Sequence, residues 1–216
     1  MKTLNEQAYE HLSKMIIENK LSYQEIYSET KLSKEIGISR TPFRDAVHRL
    51  AQEGYIDIIP SKGFRLHQLS EQDVINTFQI RSALECYCCY EITRDYQSDA
   101  AQALFQNLES ATKKMKEIME TTHSIEKFSE YDFDFHIQII HYLKNEQLIS
   151  IYNTFFYRMK KLATLSLSHE GRMEQTYQEH RNILVAMKDG DLEHIYEITM
   201  EHMNTPRRIN LEDLVG

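Results

Sequence analysis

The chain has 216 residues, 41% hydrophobic and 27% charged, a balance that excludes a disordered chain and leaves room for one large domain or two modest ones. Only 6 Gly and 3 Pro leave few chain breakers, which favours long helices over a many-turned β fold. The net charge of −8 argues against nucleic-acid binding only until it is divided: residues 1–69 carry 10 Lys+Arg against 9 Asp+Glu, and the remainder 15 against 24.

The N-terminal stretch MKTLNEQAYEHL has no apolar signal core, and no later run approaches the ~20 apolar residues of a membrane span, so a cytoplasmic protein with no membrane partner is expected. Residues 5–19 place Ala8, Leu12, Met15 and Ile16 on one helical face. A loop over 20–28 precedes two helices, about 30–36 and 40–53. Gly37 stops the first, and Ser39 offers its hydroxyl as N-cap of the second, with Pro42 in the first turn. Phe43, Ala46, Val47 and Leu50 form that helix's inner face. Arg40, Thr41 and Arg44 crowd its N-terminus, where a helix meets phosphates and base edges. Ile56, Ile58 and Ile59, the turn Pro60-Ser61-Lys62-Gly63 and the run Phe64 to Leu66 read as a hairpin, or wing.

A boundary falls near 69. Residues 1–69 read as a winged helix-turn-helix and residues 70–216 as an all-helical antiparallel bundle, so the fold is mostly α. Ser70 with Asp73 is a capping signal for a helix to about 96. Further helices are expected near 99–120, 124–143, 146–167, 172–189 and 191–204, about six in the bundle. Cys86, Cys88 and Cys89 share one helix; an odd number at that spacing makes no disulfide framework, and they read as small buried residues, with a redox sensor as the alternative. Asp132 and His136 are four apart and adjacent on a helix face, and His180 and His202 lie 11 residues either side of Asp191, at the same height on two antiparallel helices. One carboxylate and three imidazoles suit a divalent transition metal: zinc, nickel or manganese. The other histidines (His11, His48, His67, His123, His141, His169 and His194) read as surface residues.

The run IGISRTPFRDAV, with RL-x-x-EGY and the PSKGF wing after it, resembles the GntR family of bacterial transcriptional regulators over about residues 8–68. That family has a Pro-Gly turn ahead of the second helix where this chain has Tyr23 and Gln24. The resemblance implies a winged helix-turn-helix whose second helix enters the major groove, with DNA contacts at Ser39, Arg40, Thr41 and Arg44 and at Lys62 and Gly63 of the wing. Arg40 and Arg44 are the base-edge candidates; Ser39, Thr41 and Lys62 suit phosphate or the minor-groove edge.

RSALE (81–85), DFDFH (132–136), Asn145 and EHRNIL-x-AMKDGD (179–191) running on to EHM (201–203) resemble the FCD effector domain of one GntR subfamily, in its shorter, VanR-type version. By that resemblance Asp132, His136, His180 and His202 are metal ligands, open coordination positions take a small carboxylate effector or water, and Arg81 and Arg158 are candidates to neutralise that carboxylate. For Arg81 the alternative is an ion pair with Glu85 at i,i+4. The implied function is a DNA-binding repressor, a homodimer on a near-palindromic double-stranded operator, released by the effector, and not an enzyme. Two other readings are a purely structural metal without effector, and a metal-dependent hydrolase, against which no placed general base and the intact DNA-reading motif argue.

Overall fold

The computed structural model describes residues 2–18 and 20–215. They divide into two compact units, residues 2–69 together with 154–158, and residues 70–153 together with 159–215. Among the described residues no helix is long and apolar enough to cross a membrane.

The first unit is built on three helices and a hairpin: α1 (Leu4–Ile17), α2 (Glu29–Glu35), α3 (Arg40–Gln52), β1 (Ile56–Ile59) and β2 (Gly63–Leu66). Thr3 and Glu6 close a capping box that starts α1, a signal the apolar spacing did not reveal. Ala8, Leu12 and Ile16 of α1 meet Phe43, Ala46, Val47 and Leu50 of α3, all buried, with Ile56, Phe64 and Leu66 of the hairpin completing the core. This is the inner face expected from spacings of three and four. Ser39 holds the N-cap position of α3 in extended backbone, but its hydroxyl makes no cap bond. The expected capping role is therefore not taken up, and the hydroxyl stays exposed at the helix start.

β1 and β2 pair antiparallel, Ile56 opposite Leu66 and Ile59 opposite Gly63. The segment read as a plain loop contributes more than a connection: Tyr27 N–H donates to the Phe64 carbonyl at 2.7 Å, and the Tyr27 carbonyl accepts from Phe64 N–H at 3.0 Å. Gly63 sits where that exchange brings three chain segments together. Its φ is +129°, and a Cβ there would lie 2.0 Å from the Tyr27 carbonyl oxygen.

The second unit is α4 (Glu71–Arg94), α5 (Asp99–Thr121), α6 (Ile125–Tyr142), α7 (Glu146–Leu167), α8 (Arg172–Asp189) and α9 (Ile195–Val215). The Ser70–Asp73 capping box is present, and Ser98, Ser124 and Asn145 cap the next three helices through their side chains. α4 packs on α6, α8 and α9, and α8 on both α5 and α9, so α4 and α8 sit where most helices meet.

α9 departs from expectation. It was expected to stop before Pro206, but it runs through that proline to Val215. A mid-helix proline withholds one donor from the preceding turn. Burial retains the helix nonetheless: Pro206 is buried, and the buried Asn210 amide donates to the carbonyls of Pro206 (2.7 Å) and Leu162 (3.1 Å), tying α9 to α7.

Because Gly63→Ala forces both a clash with Tyr27 and an unfavourable φ, it is expected to destabilise the first unit by about 1–3 kcal/mol. Urea unfolding measures this; an unchanged midpoint would remove the glycine from its structural role.

Candidate functional site

Two sets of side chains stand out, one in each unit. In the first, Ser39, Arg40, Thr41 and Arg44 are exposed at the start of α3, and Lys62 is exposed in the wing turn. Two other arginines of this unit are already engaged. Arg49 pairs with Glu53 at 2.9 Å and lies 3.8 Å over the Tyr9 ring, and Arg65 pairs across the hairpin with Asp57 at 3.3 Å. No ion pair engages Arg40, Arg44 or Lys62 among the described residues, so these cations face solvent at one helix tip and one hairpin turn. Gly63 is half-buried and shapes that turn.

In the second unit, α6 supplies Asp132 and His136, α8 supplies His180 and α9 supplies His202, all buried to within 4% of full enclosure. The three imidazoles form a cluster with metal-binding spacing. His136 Nε2 lies 3.1 Å from both His180 Nε2 and His202 Nε2, and an Asp132 carboxylate oxygen is 3.4 Å from His180 Nε2 and 4.0 Å from His136 Nε2.

The opposite ring nitrogens decide what the inner ones carry. His180 Nδ1 donates to the Thr176 carbonyl at 2.7 Å, and a carbonyl can only accept. His202 Nδ1 donates to the Glu179 carboxylate at 2.8 Å. His136 Nδ1 faces a Glu85 carboxylate oxygen at 2.7 Å, although out of hydrogen-bond alignment. With protons on Nδ1, His180 and His202 turn Nε2 lone pairs toward His136 Nε2, which lies 3.1 Å from each. A cation standing among the three rings would take up those lone pairs. Nitrogens bound about 2.1 Å from a zinc ion are roughly 3.0–3.4 Å apart, so the spacing and the donor set both fit a divalent transition metal.

Electrostatics agree. Burial holds His136 and His202 well below the ordinary imidazole range, with Arg81 adding at His136 and His180 at His202; burial brings His180 down to about 4. The imidazoles are therefore neutral, the form that binds metal. Burial lifts Asp132 to about 6, against the pull of Arg81.

Around this cluster runs a layer of buried ion pairs. Arg81 Nε donates to Glu85 at 2.6 Å, and the Tyr152 hydroxyl donates to the same oxygen at 3.2 Å. Arg172 grips Glu179 with two bonds of 2.8 Å. Burial works against the Arg81 charge, but Glu85, Tyr152 and Asp132 outweigh it and hold the guanidinium charged.

The residues expected at this site are thus not all brought together. Asp132, His136, His180 and His202 meet, and Arg81 stands beside them, committed to Glu85 as its alternative reading had it. Arg158 groups with the first unit rather than with the histidines. Arg172 and Glu179 carry no assignment in the sequence, where each is an ordinary helix residue that only its tertiary surroundings distinguish, and Glu85 is read there only as a partner for Arg81. Six of the remaining histidines are exposed, and His67 is half-buried against Asp57 at 2.7 Å. Cys86, Cys88 and Cys89 are buried free thiols, the first two pushed up to about 12 by burial, so they stay protonated and inert.

Comparisons with known proteins match both units. Residues 4–66 match the family described as bacterial regulatory proteins, gntR family, and residues 76–205 match the FCD domain. An uncharacterised HTH-type transcriptional regulator of Bacillus subtilis, YdhC, is 28% identical over 201 residues, covering 92% of this chain and 87% of the relative. A probable D-xylose utilization operon transcriptional repressor of Paenarthrobacter nicotinovorans is 26% identical over 165 residues, 76% of this chain and 70% of its own. Among solved structures, E. coli McbR/YncC superposes over 100% of both chains with a TM-score of 0.74 at 18% identity. The Zn2+-bound FCD domain of TM0439 covers 68% of this chain and 97% of its own, with a TM-score of 0.54 at 19% identity.

The Arg81–Glu85 pair gives a direct stability test. Arg81→Met leaves a buried carboxylate unpaired and is expected to cost about 3–5 kcal/mol, whereas Arg81→Met with Glu85→Leu recovers most of that loss. Denaturant unfolding of the metal-free protein reads both; equal losses would mean the pair is not coupled.

Proposed function

The chain belongs to the GntR family of bacterial regulatory proteins, with an FCD domain, and from that premise we propose a metal-dependent repressor whose hold on DNA is set by a small carboxylate metabolite. It is a DNA-binding transcriptional regulator. The finer reading rests on one observation above all: three buried, neutral imidazoles and a carboxylate whose donor atoms face one another.

On the DNA side, Arg40 and Arg44 are assigned to base edges, since a guanidinium can bond guanine bidentately in the major groove. Ser39, Thr41 and Lys62 are assigned to the phosphate backbone, where hydroxyls and a point charge position the helix without reading sequence. Gly63 keeps the wing turn narrow, and its share in DNA binding is through that shape. A homodimer with two such units would place two α3 helices on the halves of a near-palindromic operator.

On the effector side, Asp132, His136, His180 and His202 hold the ion, and residues 70–216 form the effector-binding and dimerisation domain. A bound divalent ion supplies an electrophilic anchor for a carboxylate. The surrounding acceptors Thr176, Glu179 and Glu85 orient the three rings toward it. Four elements meet at the site, α4 through Glu85 and α6, α8 and α9 through the ligands, so a ligand that changes their mutual fit biases the whole bundle. Its leverage is limited to the difference in its affinity for the two bundle arrangements.

Arg44→Ala is expected to weaken operator binding by about 1–3 kcal/mol while thermal unfolding stays unchanged. Fluorescence anisotropy with the operator checks it, and unaltered affinity would take α3 out of the reading role. His180→Ala with His202→Ala should abolish stoichiometric zinc by elemental analysis; retained zinc would sink the ligand assignment, and zinc without any response to acids would make the metal structural. As pH falls, zinc affinity should weaken from about 6, where Asp132 gains its proton, and collapse toward about 4, where His180 does. Zinc content after dialysis across that range tests the order; complete release by pH 6 would contradict the depressed imidazoles.

A further inference from the structure

Away from the histidine cluster, wholly within the second unit, α5 and α8 border a groove of about 390 Å³. Among the described residues, four of the nine in its wall are cations: Lys113 and Lys116 on α5, Arg181 and Lys188 on α8. Glu109 is the one carboxylate there, so the wall carries a formal charge of +3, four cations less one anion. Residues 70–216 as a whole carry 15 Lys+Arg against 24 Asp+Glu, so this concentration runs against the unit's own charge. Like charges gathered on one face repel, and an acidic fold has carboxylates in plenty to separate them. Only Glu109 is placed to do so.

The four cations differ in what they already hold. Lys188 is paired with Glu109, and Lys116 with Glu120 at 3.6 Å. Among the described residues no ion pair engages Lys113 or Arg181, and both are exposed. Glu117, one turn beyond Lys113, is taken up by Lys114 at 2.9 Å. Spacings of three on α5 and seven on α8 keep each pair on one helix face, along a stripe of roughly 10 Å. Leu184 and the exposed Val185 put an apolar strip between the charges, and the half-buried Tyr177 stands toward the start of α8.

We infer that this groove binds a phosphate monoester of a small polyol or sugar, at a site separate from the metal cluster. A phosphate monoester carries close to two negative charges at neutral pH and three strong acceptor oxygens, a match for the unengaged Arg181 and Lys113 together. Arg181 grips two oxygens through its planar fork, and the lysines add point charge. The carbon skeleton rests on Leu184 and Val185, with the Glu109 carboxylate accepting from its hydroxyls and the Tyr177 hydroxyl donating to them. A volume of about 390 Å³ suits a small molecule of this kind. Duplex DNA fits less well, because cations that meet its backbone stand on a projecting surface, and these line a recess between two helices. The inference does not rest on the metal reading, yet α8 joins the two sites: Arg181 directly follows His180. A ligand that draws α8 toward α5 pulls on the turn that carries a cluster histidine.

The test is equilibrium dialysis of the full-length protein against glucose 6-phosphate, glycerol 3-phosphate, glucose, inorganic phosphate and sulfate at matched ionic strength. At least one of the two monoesters should bind saturably, one per chain and about tenfold or more tighter than phosphate or sulfate, and glucose should not bind. Lys113→Ala with Arg181→Ala removes two exposed cations that no ion pair engages. That double variant should lose about tenfold or more in monoester affinity while its thermal midpoint stays unchanged. Arg181→Lys should fall between the two, since it keeps the charge and loses the fork. Phosphate or sulfate binding as tightly as the monoesters, or a double variant with unchanged affinity, overturns the inference. So does saturable binding by neither monoester; an operator affinity that falls in the double variant in that case assigns the patch to DNA instead. The variants leave every assigned metal ligand in place, so these outcomes stand apart from those of the metal reading.

Discussion

The second unit is organised around one encounter, three buried imidazoles whose Nε2 atoms meet at 3.1 Å from His136. Nothing in the packing of His136, His180 and His202 requires their Nε2 atoms to meet; aliphatic residues would fill that volume with less penalty. The rings of His180 and His202 are turned inward because their outer nitrogens are occupied, by a backbone carbonyl and by a carboxylate, while His136 Nδ1 faces the Glu85 carboxylate without a hydrogen bond. The site is therefore bounded from outside by Thr176, Glu179 and Glu85, with Glu179 held by Arg172 and Glu85 by Arg81. Without this outer layer the rings could flip and satisfy each other, and the tendency to attract a cation would be lost.

The same layer explains why so much charge is tolerated inside the bundle. Arg81 with Glu85 and Arg172 with Glu179 are paired and hydrogen-bonded, the condition under which buried ions persist. Such pairs contribute less to stability than to orientation: each ties a guanidinium on one turn to a carboxylate that faces a ring on another helix. The first unit works in the opposite sense. Its paired cations, Arg49 and Arg65, are satisfied by carboxylates of the same unit, while among the described residues no ion pair engages those at the α3 tip and the wing. A charge left in solvent can meet phosphate with little desolvation of a prior contact.

Much of this was legible in the residues. The inner face of α3, the Ser70–Asp73 capping box, the wing and the six long helices follow from local spacing and cap chemistry, which act over a few residues and so leave a readable mark. The pairing of His180 with His202 was legible because equal offsets from a turn fix height on antiparallel helices. What spacing could not supply was the company those histidines keep. Glu85 lies on α4 and Arg172 at the first turn of α8, and nothing within a few residues of either marks it as buried. The run of α9 through Pro206 was unreadable for the same reason, since the compensating bonds come from Asn210 and reach back to Leu162.

The sequence by itself determined the α-helical content, the helix α3 with arginines crowding its start, and four residues of a type able to ligate a metal. These depend on periodicity, capping and residue chemistry, all properties of short stretches. Only the tertiary structure decided which nitrogen of each imidazole faces inward, that Arg81 is committed to Glu85, that Arg158 groups with the first unit, and that Ser166, Arg172 and Thr176 share a cavity. Those facts depend on which groups lose water together when distant helices pack. Desolvation is a property of the assembled interior, and no segment of the chain carries it alone.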